Sequence, residues 1–316
     1  MVEKVFLAAP RGFCAGVVRA IDVVNIALDV YSETIYVRKE IVHNRHVVEE
    51  LRRKGTVFVD SLKEVPEGSR VVFSAHGVSP QVRAEAEARS LKVIDATCPL
   101  VTKVHLEAAR YARRGYTIVL IGHAGHDEIT GTMGVAPERM RLVSSLEDVE
   151  KLGPLDSAKV VYLTQTTLSL EDTREIIGAL RQKYPTIGGP PSEDICYATQ
   201  NRQMAVRQMA RSCDLVLVVG SPNSSNSRRL VEEALKESTR AYLIEDVASI
   251  HDEWLEGVGT LGITSGASAP EELVAELVDR FRIEGASVEE WIARSENVQF
   301  ALPDDLLAAA VSNSSA

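Results

Sequence analysis

The sequence predicts an α/β protein built as three pseudo-symmetric lobes of mainly parallel sheet flanked by helices. Three observations predict it. Short apolar, strand-like runs alternate with amphipathic helical stretches along almost all of the chain, the pattern of parallel sheets covered by crossover helices. At 316 residues the chain exceeds what one small core organises. Three cysteines, Cys14, Cys98 and Cys196, stand 84 and then 98 residues apart, each just ahead of a helical pattern. That spacing suggests three related thirds, although identity between them is too weak to prove a repeat.

The elements follow in order. The strand VFLAA precedes a helix over Val17–Tyr31. TIYVR, a helix over His46–Lys54, TVFV and RVVFS come next, then a helix over Gln81–Arg89 and the strand KVIDA. A helix over Val101–Arg114 leads to YTIVLIG, a short RLVSS, VVYLT and a helix over Leu170–Lys183. The segment PTIGGPPSED, residues 185–194, is rich in Gly and Pro and reads as a linker. Beyond it lie a helix over Gln200–Arg211, LVLVVG, a helix over Arg228–Ser238, AYLIE, LGITS and a helix over Pro270–Phe281. Residues 287–307 carry aromatics and prolines without clear periodicity and read as an arm; the SNSSA tail reads as disordered. The expected lobes are 1–96, joined by the C-terminal arm 283–316, then 97–193 and 194–282.

Composition narrows the function. The hydrophobic share of 45% and charged share of 25% are those of a globular protein. A net charge of −10 argues against a nucleic-acid partner, which wants a basic face. The N-terminus lacks the charged and apolar regions of a signal peptide, and no apolar run is long enough to span a bilayer. A cytoplasmic protein with no membrane partner is therefore expected, in a compartment where structural disulfides are rare. Four cysteines there imply thiols, a metal site or redox chemistry.

The contexts PRGFCAGVV, DATCPLVTK and EDICYATQN place each cysteine before a helix. A helix N-terminus favours the thiolate, the form that binds metal. Cys98 is followed by proline, which shapes the turn and recurs beside iron–sulfur ligands. Cys213 in ARSCDLVLVVG ends a helix and reads as a small core residue. Three cysteines from distant sections fit a [4Fe–4S] cluster with one open iron, or zinc with three thiolates and a water. The paired C-x₂-C spacing of small zinc domains is absent, which favours a central cluster.

The loops IVHNRH, SAHG, GHAGHDEITG, TQTT, GSPNSSNS and SGAS mostly follow strands, where open α/β sheets bind ligands. They offer His43, His76, His126, Ser224, Ser225, Asn226, Ser268 and one acid at the right place, Glu128, with Asp127 before it expected to face outward. That set suits an anion held by neutral donors. GSPNSSNSRRL opens a helix whose N–H groups can cradle phosphate. No Walker sequence and no G-x-G-x-x-G follows a strand. Taken singly, each piece has a plainer reading: core histidines, a Ser-Asn helix cap, a solvated acid. The pairs His43/His46 and His123/His126 could each be half a metal site.

The series PRGFCAGV, HNR, SAHGVS, DATCPLVTKVH, IGHAGHDEITGTMG, TQTTLS, DICYATQNRQ, VGSPNSSNS and TSGASAP resembles, in one unbroken order, the 4-hydroxy-3-methylbut-2-enyl diphosphate reductase family. The resemblance implies three lobes around a central [4Fe–4S] cluster, one per chain, with Cys14, Cys98 and Cys196 as ligands. It implies that His43, His76, Ser224, Ser225, Asn226 and Ser268 hold the diphosphate, with His126 nearby. Glu128 would supply protons through the diphosphate and His126, oriented by the Thr166 hydroxyl. The reaction implied is reductive dehydroxylation to isopentenyl and dimethylallyl diphosphates, the last step of the methylerythritol phosphate route to isoprenoids. Electrons would come from a ferredoxin or flavodoxin, met by a basic patch drawn from Arg11, Arg19, Arg45 or Lys103. Three rivals compete. An enzyme resembling quinolinate synthase would use the open iron without electron input, but the Ser-Ser-Asn and TQTT loops with Glu128 suit a diphosphate and proton delivery. An iron or redox sensor would need a partner surface, and no DNA-binding helix pair is evident. A zinc hydrolase would work in air.

Overall fold

The computed structural model describes residues Met1 to Ser314. Its strands are β1 (Lys4–Ala9), β2 (Ile35–Arg38), β3 (Val57–Val59), β4 (Arg70–Phe73), β5 (Lys92–Asp95), β6 (Thr117–Ile121), β7 (Met140–Val143), β8 (Val160–Thr164), β9 (Leu215–Val219), β10 (Arg240–Ile244), β11 (Thr260–Ser265) and β12 (Ser287–Ile292). Its α-helices are α1 (Ala15–Val30), α2 (Arg45–Arg53), α3 (Pro80–Ala88), α4 (Pro99–Arg113), α5 (Asp127–Met133), α6 (Leu146–Lys151), α7 (Leu170–Lys183), α8 (Tyr197–Ala210), α9 (Ser225–Lys236), α10 (Glu271–Ile283) and α11 (Asp304–Ser314).

The expected α/β class holds. Three wholly parallel sheets form among the described residues, in the orders β10-β9-β11-β1-β12, β3-β2-β4-β5 and β7-β6-β8. Parallel strands need crossovers, and the alternation of strand and helix supplies them. The chain divides into two compact units. One contains Met1–Val17, His43–Val47 and Tyr197–Gln299; the other contains Val18–Val42, Val48–Cys196 and the residues from Phe300 onward.

The first unit holds the five-stranded sheet. LVLVV of β9 is buried throughout, as a central strand covered on both faces must be. One face packs on Leu273, Val274, Leu277 and Phe281 of α10, the other on α8 and α9 through Val206, Met209 and Leu230. Burying a side chain such as Leu277 or Phe281 contributes about 1.5–3 kcal/mol each. The second unit holds the other two sheets. Val104 and Ala108 of α4 cover one face of β6, and Ile176 and Leu180 of α7 cover the other. Ala86 of α3 packs on Val71 and Phe73 of β4.

Several expectations need correction. β1 pairs with β11 and β12, so residues 4–9 join the sheet of the third section rather than that of 1–96. Sequence order gives the crossovers but not which open edge a strand takes. The arm contains a strand, β12, whose SVEEWI is mostly exposed because it is the sheet edge. The 185–194 segment is no loose linker. Gly188 bridges Val161 beside β8, and the Asp194 carboxylate is buried against Thr164 N–H at 3.0 Å and Lys103 at 2.9 Å. Of the SNSSA tail, Ser312 to Ser314 close α11, and the last two residues lie outside the described residues.

Candidate active site

Cys14, His43, His76, Cys98, His126, Thr166, Ser224 and Ser268 stand on loops following the carboxyl ends of β1, β2, β4, β5, β6, β8, β9 and β11 in turn, and Glu128 lies in the first turn of α5 just after His126. That edge is where α/β sheets present ligand-binding groups. Cys196 differs, following the 185–194 segment. Each of these three cysteines immediately precedes a helix: α1, α4 and α8 begin at residues 15, 99 and 197.

The first unit carries Cys14, His43, Ser224, Ser225, Asn226 and Ser268. Ser224 caps α9, its Oγ accepting from Ser227 N at 3.3 Å. Ser268 Oγ donates to the His43 carbonyl at 2.9 Å and lies 3.5 Å from Ser224 Oγ. Asn226 Oδ1 accepts from Ala267 N at 2.8 Å, and its Nδ2 reaches Thr199 Oγ1 at 3.4 Å. The Ala267 carbonyl in turn accepts from Cys14 N at 3.1 Å. One backbone stretch thus ties the serine cluster to the cysteine loop. Ser224, Ser225, Asn226 and Ser268 are all buried, so their hydroxyls and amide are held rather than solvated.

The Cys14 loop has a further anchor. Arg202 of α8 is 1% exposed. Its guanidinium donates to Gly12 O at 2.7 Å, Arg11 O at 3.3 Å and both Glu296 carboxylate oxygens at 3.1 Å. Gly12 adopts φ +64°, and a Cβ there would press on Glu271 at 3.2 Å, so glycine suits the turn. Tyr197 Oη accepts from Ala15 N at 3.2 Å. Burial above all, with the Glu296 carboxylate nearby, pushes that phenol up to about 12.

The second unit carries His76, Cys98, His126, Glu128, Thr166 and Cys196. Glu128 is 2% exposed. Its Oε1 accepts from Thr166 N at 2.7 Å and its Oε2 from Thr166 Oγ1 at 2.9 Å. His126 caps α5, Nδ1 accepting from Glu128 N at 3.2 Å, and its ring meets His76 edge to face at 5.8 Å. Cys98 N donates to Ala75 O and Cys196 N to Thr166 O, both at 3.0 Å. Each cysteine backbone is therefore tied beside a candidate site residue. Gly77, at φ +76°, lets the His76 loop approach His105 and Thr97, which a Cβ would meet at 3.0 and 3.1 Å. Asp95 supports the Cys98 turn through Thr97. Burial would raise the Asp95 carboxyl, but the Thr97 hydroxyl and Arg83 bring it below its ordinary value.

In each histidine pair one ring has a neighbour outside the pair. His46 Nε2 lies 3.8 Å from Asp246, and His123 Nδ1 lies 3.4 Å from Gln165 Oε1. Cys213 is the core residue expected. Its thiol donates to Met209 O at 3.3 Å, and burial pushes it up to about 12. Of the residues proposed for a basic patch, Arg11, Lys103 and Arg45 have acidic neighbours, while Arg19 donates to backbone carbonyls. Arg11 pairs with Glu271 and Glu290, and Lys103 with Asp194. Arg19 donates to Ala301 O and Thr97 O, and Arg45 lies 3.8 Å from Glu245. Arg202, Tyr197 and Ser227 escaped the sequence reading. An arginine inside the helical run ATQNRQMAV was the one available signal, since a cation on a buried face needs partners.

A family model described as LytB protein matches residues 5–282. A 4-hydroxy-3-methylbut-2-enyl diphosphate reductase of Hahella chejuensis is 56% identical over 316 residues, covering 98% of this chain and 100% of its own length. The protein of that name from Nocardia farcinica is 56% identical over 306 residues, covering 96% of this chain and 91% of its own. A solved structure of the E-1-hydroxy-2-methyl-but-2-enyl-4-diphosphate reductase from Plasmodium falciparum superposes with a TM-score of 0.96 at 38% identity, over 99% of this chain and 100% of that one. The resemblance read from the motifs is therefore a family relationship at full length, and the chain belongs to the LytB protein family.

Proposed function

We propose that the chain is a reductase that removes the allylic hydroxyl of 4-hydroxy-3-methylbut-2-enyl diphosphate, giving isopentenyl and dimethylallyl diphosphates. The observation that carries the reading is the buried Glu128 carboxyl clamped by both donors of Thr166, beside the His126–His76 pair. The names of full-length relatives support the same substrate.

Cys14, Cys98 and Cys196 fit the ligand set of a [4Fe–4S] cluster. All four cysteines are half-buried, but only these three stand at helix starts, and burial raises the Cys213 thiol so that it resists ionisation. When bound, such a cluster supplies an open, Lewis-acidic iron for the substrate hydroxyl and a route for two electrons.

The chain's own residues do the rest. His43, His76, His126, Ser224, Ser225, Asn226 and Ser268 bind the diphosphate through hydrogen bonds. Thr166 N–H occupies Glu128 Oε1, so a proton on this carboxyl resides on Oε2, facing Thr166 Oγ1. A hydroxyl both donates and accepts, so Thr166 accommodates the carboxyl in either protonation state. Glu128 is then the general acid that delivers protons as water leaves, with His126 holding the start of α5 in place. Burial keeps bulk water away from the carboxyl. The test is product identification by mass spectrometry after anaerobic incubation of cluster-loaded protein with the substrate and a reduced viologen. Both isomeric diphosphates are expected, and unchanged substrate would overturn the proposal.

A further inference from the structure

The second unit has a surface feature that proton delivery and diphosphate binding leave unused. A cavity of about 620 Å³ runs along α4, lined by Arg19, Thr102, Lys103, Leu106, Arg110 and Pro303. It also touches Thr97 and Pro99, the residues on either side of Cys98. Leu106 at its wall is 65% exposed, unusual for a leucine on an otherwise amphipathic helix.

The charge here runs against the rest of the chain. The chain's net charge is −10, yet Lys103, Arg110, Arg113 and the adjoining Arg114 face a single acid, Glu107, along α4. The carboxylates in the lining are engaged: Asp95 pairs with Arg83, and Glu107 is 9% exposed with Lys103 at 3.9 Å. Lys103 lies between Glu107 and Asp194, so its one charge is offset there, and Glu107 also feels Arg110. Arg19 donates only to carbonyl oxygens here, so its positive charge is not cancelled. Arg110 is exposed and lies over the Tyr111 ring. The patch thus combines an apolar centre with a cationic rim, the composition of a transient docking surface for an acidic protein. At 1.5 Å per residue, it extends from the Cys98 cap to Arg110, about 18 Å along the helix.

We propose that this face of α4 docks the acidic one-electron carrier protein that supplies the reaction, seating its redox centre next to the Cys98 turn. The proposal rests on the reductase reading, which demands electrons from outside a chain lacking a nicotinamide or flavin fingerprint. It relocates the donor surface from Arg11, Arg45 and Lys103, which are engaged within the fold, to Leu106 and Arg110 with Arg19.

The test uses the cluster-loaded full chain with a reduced flavodoxin and, separately, a reduced [2Fe–2S] ferredoxin. Binding is measured by titration, and turnover as a function of carrier concentration at low and high salt. Arg110→Glu and Leu106→Glu should each weaken carrier binding and raise its KM roughly tenfold at low salt. Arg110→Glu should matter less at high salt. Neither variant should alter turnover with a reduced viologen. A charge reversal at exposed Arg174 of α7 is the control. Saturable binding by neither carrier, or equal losses at Arg174 and Arg110, or equal losses with viologen, would overturn the proposal. The binding titration decides docking even if wild-type protein fails to reduce the diphosphate with viologen, a failure that would strike the reductase reading instead.

Discussion

Thr166→Val tests the proton-delivery geometry most selectively. Valine keeps the volume and the β-branch of threonine but removes the hydroxyl. The change abolishes the 2.9 Å bond from Thr166 Oγ1 to Glu128 Oε2 and leaves the 2.7 Å bond from Thr166 N to Oε1. A hydrogen bond to a charged, buried partner contributes about 1.5–3 kcal/mol, which is roughly 10- to 150-fold in rate if it orients the reacting carboxyl. The Thr166 carbonyl still accepts from Cys196 N at 3.0 Å, a backbone contact that valine retains. Cluster content should therefore match wild type. The assay is anaerobic oxidation of a reduced viologen, started by substrate, with iron and sulfide quantified on the same sample. The loss should fall on kcat with little change in KM, and Thr166→Ser should recover most of the rate. A valine variant within twofold of wild type, or one whose rate falls only in proportion to its iron, would refute the reasoning.

Other outcomes follow from the same structure. Arg202→Met leaves Glu296 and the Arg11 and Gly12 carbonyls without their guanidinium; breaking one partner of a buried pair costs about 3–5 kcal/mol, so thermal scans should show a midpoint lower by roughly 5–8 °C. His105 offers a pH effect: burial, then the charge of Arg83, lowers its pKa to about 4, and its Nε2 is buried without a partner. The unfolded chain takes this proton near its ordinary value while the folded one resists until about 4. Stability should then fall as pH drops through that window, by about 3 kcal/mol in all, and denaturant midpoints of His105→Gln should lose that share of the slope. Cys213, at about 12, should stay unalkylated by iodoacetamide in native protein at pH 8, where roughly one thiol in ten thousand is ionised; rapid labelling there would contradict the burial, and Cys213→Ala should leave turnover unchanged.

Much of this was legible in the residues. Strand runs such as LVLVV are apolar throughout because both sheet faces are covered, and that pattern is visible without coordinates. The placement of three cysteines at helix starts was equally visible, and α1, α4 and α8 begin immediately after them. What escaped has physical reasons. SVEEWI looks like a loop because an edge strand shows charge on its open side. The short α5 hid inside the glycine-rich GHAGHDEITG, its N-cap a histidine nitrogen rather than a hydroxyl. Its acids Asp127 and Glu128, placed in a first turn, were the signal that could have revealed it. The capping box of α6, Ser145 with Asp148, was likewise present in the letters. Arg202 could not be placed, because its partners lie 94 and 190 residues away in the chain.

The most direct test of the central claim is dye oxidation by wild-type protein beside Glu128→Gln, both carrying a full cluster, under strictly anaerobic conditions. Wild type should consume two reduced viologens per diphosphate added, and the glutamine variant should be slower by about 10²–10⁴-fold, the range for loss of a general acid. Equal rates would contradict Glu128 as the proton source. No substrate-dependent bleaching from cluster-loaded wild type would contradict the reductase itself.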